Sequence, residues 1–214
     1  MITGRLVGLW AIALALVVAG CAAPQFTYVT NSSAHTYFKV PSGWRKISDT
    51  ALAHAISGGS SSKTSAWTVG YDGSTDPAAS HVLSQLTTQP FAYAEVGQVG
   101  QATINALSYD TLRDFFLPVT SSARQTATKS GFPLTGFQLL RDSMLTSGQG
   151  VHGVREIFDY TYPDGSVDTF DQVALTNADD TEVYVLIVHC LASCYTRHTS
   201  EIDMVMSSFT VRSP

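Results

Sequence analysis

Residues 183 to 188 read Val-Tyr-Val-Leu-Ile-Val, six consecutive apolar side chains with no polar position to turn toward water. Successive side chains of a strand point to opposite faces, so such a run needs cover above and below. That restricts the chain to a layered architecture. Two other apolar runs precede it, Val154 to Tyr162 and Val167 to Leu175, parted by Pro163-Asp164-Gly165 and Asn177-Ala178-Asp179-Asp180. Turn formers between runs of strand length predict an antiparallel meander with its last strand inside the sheet. Helices are expected to supply the cover.

The clearest helical signal covers residues 109–119. Ser108 is a good cap, and Leu112, Phe115, Phe116 and Val119 recur at helical spacing, with Pro118 expected to disturb the last turn. A second helix is expected where Ser200 to Met206 places Ile202, Val205 and Met206 on one side, before a short strand Phe209-Thr210-Val211. Nearer the start, Tyr37 to Trp44 reads as an extended segment stopped by Pro41-Ser42-Gly43. Ser48-Asp49-Thr50 can cap a short helix through Ile56, closed by the run from Gly58 to Ser62. Strands are expected at Ala66 to Tyr71 and Pro90 to Val96, with a helix start at Thr75-Asp76-Pro77-Ala78 between them. There is no internal repeat.

The first residues carry Met1 and Arg5 and then an uncharged apolar stretch, Leu6 to Val18. This is the core of a signal peptide, too short to span a bilayer comfortably. It closes on Val18-Ala19-Gly20-Cys21, which resembles the lipobox of bacterial lipoproteins. The resemblance implies a diacylated Cys21 as the mature N-terminus, held on the extracytoplasmic face of the cell membrane. Chains worth about 0.8 kcal/mol per buried methylene would make a durable anchor. The other reading is an ordinary secreted protein cut near Ala22-Ala23. The expected organisation is a signal peptide over 1–20 and a polar stretch over 21–34, read as a lipidated tether or loosely docked first strand. A single α+β domain follows over 35–214, a length suited to one core.

Losing residues 1–20 removes Arg5, one of the 12 basic residues set against 17 acidic ones in the whole chain. A mildly acidic balance argues against nucleic acid as a partner and suggests no basic patch for anionic lipid heads. With Cys21 set aside, Cys190 and Cys194 remain. They follow the most apolar run, where a tight turn could pair them as a disulfide in an oxidising compartment, provided the Cα atoms lie about 4.4 to 6.8 Å apart.

The order of elements carries a resemblance. Phe38-x-Val40-Pro41-x-Gly43-Trp44, a central meander and a closing helix that runs into Ser208-Phe209-Thr210-Val211 look like the PsbP/Mog-type fold. With the lipobox and Val185-Leu186-Ile187-Val188-His189-Cys190 and Cys194-Tyr195, the chain is similar to actinobacterial cell-envelope lipoproteins of that fold. The resemblance spans about residues 36–212 and implies a central antiparallel sheet with helices on both faces. It also implies a role as an assembly factor, accessory subunit or ligand binder, since the fold is tied to no single chemistry.

Catalytic and metal patterns are thin. His198 and Glu201 lie three apart where a helix could begin, with His189 on the strand before; zinc needs three or four ligands, and an exposed pair is the simpler reading. His35, His54, His81 and His152 read as surface residues. There is no Gly-x-Ser-x-Gly elbow, and the serines at 60–62 and 121–122 sit in loop-like composition. Asp159, Asp164, Asp168, Asp171 and Asp179-Asp180 fall near turns, with Asp159 and Asp171 placed to face each other across the hairpin at a cost.

Phe158, Tyr160 and Tyr162 share a strand face, and together with Phe115 and Phe116 they could line a pocket for a lipid or another apolar molecule. No cofactor or metal is implied. The leading expectation is a membrane-anchored, non-enzymatic binding or assembly module of the envelope, which predicts an exposed apolar patch. A carrier of a hydrophobic ligand predicts a cavity between helix and meander. An envelope hydrolase, the weakest reading, needs nucleophile, base and oxyanion donors in one cleft.

Overall fold

The computed structural model describes residues 24–57, 67–83, 88–100 and 104–212. The signal peptide, Cys21 and the run from 58 to 62 lie outside them. The strands are β1 (Phe26–Asn31), β2 (Thr36–Pro41), β3 (Arg45–Lys46), β4 (Trp67–Asp72) and β5 (Phe91–Gln98), then β6 (Thr135–Thr146), β7 (His152–Thr161), β8 (Val167–Thr176), β9 (Glu182–Leu191) and β10 (Thr210–Val211). The helices are α1 (Asp49–Ser57), α2 (Tyr109–Arg113), α3 (Ser121–Lys129) and α4 (Ala192–Ser207). Seven strands form one antiparallel sheet in the order β3-β4-β5-β9-β8-β7-β6, and β1-β2-β10 form a small second sheet.

The two-sided run lies at the centre of the large sheet, as its composition requires. On one face Tyr184, Leu186, Val188 and Cys190 pack with Ala92, Ala94, Val173 and Leu175 against Ile202, Val205 and Met206 of α4 and against Val29, Phe38 and Val40 of the small sheet. On the other face Val183, Val185 and Ile187 lie with Phe91, Tyr93, Phe158 and Phe170 beneath Leu52 of α1, Leu112 of α2 and Val82 of a 3-10 turn, Ala79–Leu83. Each fully buried Val, Leu, Ile or Phe contributes about 1.5–3 kcal/mol relative to exposure. The result is the α+β arrangement with helices on both faces of an antiparallel sheet.

Several local readings change. Residues 26–31 pair with β2 along their whole length, so of the two readings of the polar N-terminal stretch this part takes that of a docked first strand. The helix start near Thr75 becomes the 3-10 turn, because buried Asp72 accepts from the backbone amides of Ser74 at 2.8 Å and Ala78 at 3.0 Å and meets His81 Nδ1 at 2.6 Å. His81 is therefore a partner of Asp72. The C-terminal helix begins eight residues before Ser200, at Ala192. Cys190 and Cys194 form a disulfide with a Cα separation of 5.9 Å, joining the end of β9 to the first turn of α4.

β6 has no clear sequence signature. Register shifts between Thr135 and Gln138 and between Leu139 and Arg141 break the alternation by which a strand is read. Beside it, Gly153 on β7 is required by close approach: a Cβ there would come within 2.8 Å of the Leu175 Cα atom.

Candidate functional site

The segment from 108 to 137 builds the cover of one sheet face. Ser108 and Thr111 form a capping box, with the Thr111 amide donating to Ser108 Oγ at 3.2 Å and the Ser108 amide to Thr111 Oγ1 at 2.6 Å. The helix that this starts is one turn long, against the expected span of 109–119. Its last carbonyls, Leu112 and Arg113, accept from Gln172 Nε2 at 3.2 and 3.1 Å. The Asp114 carboxylate then accepts from the amides of Val119 and Thr120, both at 2.7 Å, and from the Thr120 hydroxyl at 2.6 Å. A side chain that satisfies two backbone amides five and six residues on folds the chain into a loop and competes with helix continuation.

Thr120 caps α3, a helix that the serine-rich composition at 121–122 concealed. α3 buries none of its side chains. It is held from outside the sheet by the Arg124 guanidinium, 4.0 Å from the centroid of Phe137 and donating to the Val119 carbonyl, while the Tyr160 hydroxyl donates to the Pro118 carbonyl. Burial pushes the Tyr160 hydroxyl up to about 12. A groove of about 490 Å³ runs along one side of α3, lined by Asp114, Phe116, Pro118, Ala123, Thr126 and Ala127. A second, of about 270 Å³, lies on the other side among Arg124, Phe132, Leu134, Phe137 and Tyr160.

Beneath this cover, aromatic side chains from adjacent strands stand side by side. Phe137, Phe158, Phe170, His189 and Phe91 come from β6, β7, β8, β9 and β5, with successive centroids 6.0, 5.5, 5.2 and 6.1 Å apart. Next to them lies a buried polar group. Glu156 Oε2 accepts from Gln172 Nε2 at 3.1 Å, and Oε1 lies 3.4 Å from Nε of Arg113. The same guanidinium reaches Asp110 at 2.9 Å and Asp142 of β6 at 3.1 Å. Burial, followed by repulsion from Asp142, raises the Glu156 carboxyl to about 7, and Arg113 and Gln172 oppose the shift. Arg113 and Gln172 thus fasten α2 to the sheet and fix where the loop to α3 begins.

Among the described residues the large sheet ends at β6, which has a strand neighbour only on its β7 side. Leu139, Leu140 and Met144 on this strand are 46%, 48% and 63% exposed. Phe137, two residues before Leu139, lines the smaller groove, so the apolar edge adjoins the cover.

The aromatic residues singled out from the sequence do not form one pocket. Phe158 and Tyr160 are buried in the core, Phe116 packs on Tyr93 at 6.0 Å, Phe115 is 39% exposed, and Tyr162 is half-buried. Phe116 lines the larger groove and Tyr160 the smaller, on opposite sides of α3. The early end of α2 is the cause, because it turns Phe115 and Phe116 off the stripe that a longer helix would have presented.

The titratable residues also find partners. His198 and Glu201 form a half-buried pair at 2.8 Å on α4, whereas His189 packs among the aromatics on the opposite face of the large sheet. Among the described residues no group of three His, Cys, Asp or Glu side chains could hold a metal. His152 lies 3.6 Å from Asp180 and edge-on to Tyr109. Asp159 and Asp171 are opposite Thr169 and Ile157, not each other, and Asp171 is neutralised by a bidentate Arg155 at 2.9 and 2.8 Å. That guanidinium also reaches Asp203 of α4 at 2.7 Å, and the Tyr195 hydroxyl donates to Asp171 at 2.8 Å. His189 Nδ1 and Asp168 form a fully buried pair at 2.9 Å, out of reach of any substrate in solution. Cys21 lies outside the described residues.

No protein-family model and no curated protein sequence matches the chain. Its fold is similar to that of the cyanobacterial PsbP protein CyanoP from Synechocystis, with a TM-score of 0.56 and 12% identity over 90% of this chain and 96% of that one. LpqN, involved in cell envelope biogenesis of Mycobacterium tuberculosis, superposes at 0.46 with 16% identity over 88% and 91%. A Pseudomonas aeruginosa protein of unknown function, a putative regulator, superposes at 0.42 with 13% identity over 89% and 100%. Likeness at such identities shows architecture alone, and the first of the three carries it: the chain has a PsbP-like fold.

Proposed function

We propose that this chain is a lipid-anchored protein on the extracytoplasmic face of the cell membrane, whose domain is a non-enzymatic module that binds or positions another envelope component. The anchor reading is supported by the uncharged stretch from Leu6 to Val18 ending at Ala19-Gly20-Cys21. The disulfide between Cys190 and Cys194 suits an oxidising compartment outside the cytoplasm. Among the described residues no helix is long and apolar enough to cross a membrane.

The observation that carries the binding role is the exposed apolar edge of β6. A terminal strand presents unpaired backbone donors and acceptors, and natural proteins usually shield it with charge. Here Arg141 and Asp142 are flanked by exposed Leu139, Leu140 and Met144. Such an edge suits a partner that adds a strand and places apolar side chains over the neighbouring face. The test compares the protein recovered from the envelope with its Leu139→Ser/Met144→Ser variant by native mass spectrometry. A partner retained by the parent and lost from an equally stable variant supports the reading. The same partner on both, or hydrolysis of generic esters by the purified domain, overturns it. Anchoring is read separately: radiolabelled palmitate should enter the parent and not a Cys21→Ala variant.

The 490 Å³ groove beside α3 favours a second reading, a binder of a hydrophobic small molecule. A lipid mass in the same native spectrum, abolished by Ala127→Glu and unaffected by the β6 substitutions, would select it.

A further inference from the structure

The small sheet packs one face on the core through Val29, Phe38, Val40 and Val211. Its other face has no covering element among the described residues. Tyr28 opposes Lys39, Thr30 opposes Tyr37, and Thr210 opposes Tyr37, so alternation puts Phe26, Tyr28, Tyr37 and Lys39 on that outer face. Tyr28 is 74% exposed. The Lys39 ammonium lies 4.5 Å from the Phe26 centroid, and the Arg212 guanidinium, just beyond β10, lies 5.3 Å from that of Tyr37.

The charge on this face departs from that of the molecule. The chain carries 17 acidic residues against 12 basic ones, yet Asp49 is the first acidic residue in the sequence and Asp203 the last. β1, β2 and β10 are built wholly from the two ends that lie outside those limits. A protein of negative net charge thus has one sheet face with three aromatic rings, two cations and no side-chain carboxylate.

The same face is tied to the N-terminus. Five residues lead from Cys21 to Phe26, a covalent reach of about 18 Å at about 3.5 Å per residue. A lipid on Cys21 therefore holds β1 beside the bilayer, whatever the rest of the domain does. Tyrosines are suited to a membrane interface, where the ring is half-desolvated and the hydroxyl stays wet. Lys and Arg bury their stems and keep their charge at the headgroups.

Resting on the anchor reading, we propose that the outer face of the β1-β2-β10 sheet, formed by Phe26, Tyr28, Tyr37, Lys39 and Arg212, docks on a bilayer surface carrying anionic phospholipid headgroups. The acyl chains then fix orientation as well as location. Docking on this side of the large sheet leaves the α3 grooves, on the opposite side, facing away from the membrane.

The test uses the mature chain with Cys21 coupled chemically to a maleimide phosphatidylethanolamine in vesicles, so it does not depend on acylation in the cell. Tryptophan is placed at Tyr28, or at Leu140 on the far edge of the sheet, and the emission in excess of the parent's, which comes from Trp44 and Trp67, is followed as brominated phosphatidylglycerol replaces the unbrominated lipid. Tyr28→Trp should be quenched at least about twofold more than Leu140→Trp. Adding Lys39→Glu/Arg212→Glu should remove the excess, because each Lys or Arg near an anionic surface is worth about fivefold in affinity. Equal quenching at both positions overturns the proposal, as does excess quenching that survives charge reversal. A partner protein on this face would also leave the vesicle signal absent. Failure of palmitate to enter the protein in cells would instead remove the anchor, a result read in a separate experiment.

Discussion

The imidazole of His189 lies nearly parallel to the ring of Phe170, with 5.2 Å between centroids and 13° between planes. The two residues sit directly opposite each other on β9 and β8, so the stack is set by strand register. His189 Nδ1 meets Asp168 at 2.9 Å, and both side chains are fully buried. A polar pair is thus held inside an aromatic row that crosses five adjacent strands.

Breaking that pair on one side should cost far more than replacing it whole. His189→Ala strands the Asp168 carboxylate in the core and should lower stability by about 3–5 kcal/mol. Asp168→Leu/His189→Leu removes both polar partners together and should cost less than the single change. Urea denaturation of the three chains decides the matter, and a double variant no more stable than His189→Ala would contradict it.

Glu156 should make stability depend on pH in an identifiable way. Its carboxyl is raised in the fold to about 7 from an ordinary value of 4.5. The folded state therefore holds this proton more tightly than the unfolded chain does, and stability falls as pH rises through the interval between the two values. Relative to Glu156→Gln, the parent should lose about 2–3 kcal/mol between pH 4 and pH 8. A constant difference across that range would contradict the assignment.

Gly153→Ala tests how closely β7 and β8 are packed. The added methyl meets the Leu175 Cα and the Ala174 backbone in a pair that cannot separate without losing its ladder. Overpacking of this kind should cost about 3 kcal/mol, read as a lower denaturation midpoint with an unchanged slope. Gly43→Ala, where nothing lies within 4 Å, is the control and should be nearly neutral.

Reducing the disulfide should be tolerated. It closes a loop of sequence separation 4, so the constraint on the unfolded chain is small and Cys190→Ser/Cys194→Ser should cost about 2 kcal/mol or less. Both sulfurs are buried, so reduction of the folded parent by dithiothreitol should be slow. Rapid loss of the disulfide under native conditions would mean that the first turn of α4 opens locally.

The sequence by itself determined the layered sheet. Six apolar residues from Val183 to Val188 can be buried on two faces only in a covered central strand, and the turns at 163–165 and 177–180 make β7, β8 and β9 an antiparallel meander. Ser108 gave the start of α2 for an equally local reason, a side chain bonding to an amide three residues on. The tertiary structure alone decided where α2 stops, because Asp114 and Gln172 claim the backbone groups that would have continued it. It also decided β6, whose bulges erase the alternation, and, by ending α2 early, it turned Phe115 and Phe116 away from the stripe that a longer helix would have presented. Net charge concealed the basic face for the same kind of reason: composition sums over a chain, and only pairing of β1 and β2 with distant β10 brings its two acid-free ends together. Patterns with a fixed short period survive in a sequence, whereas bonds and pairings between distant residues have no local mark.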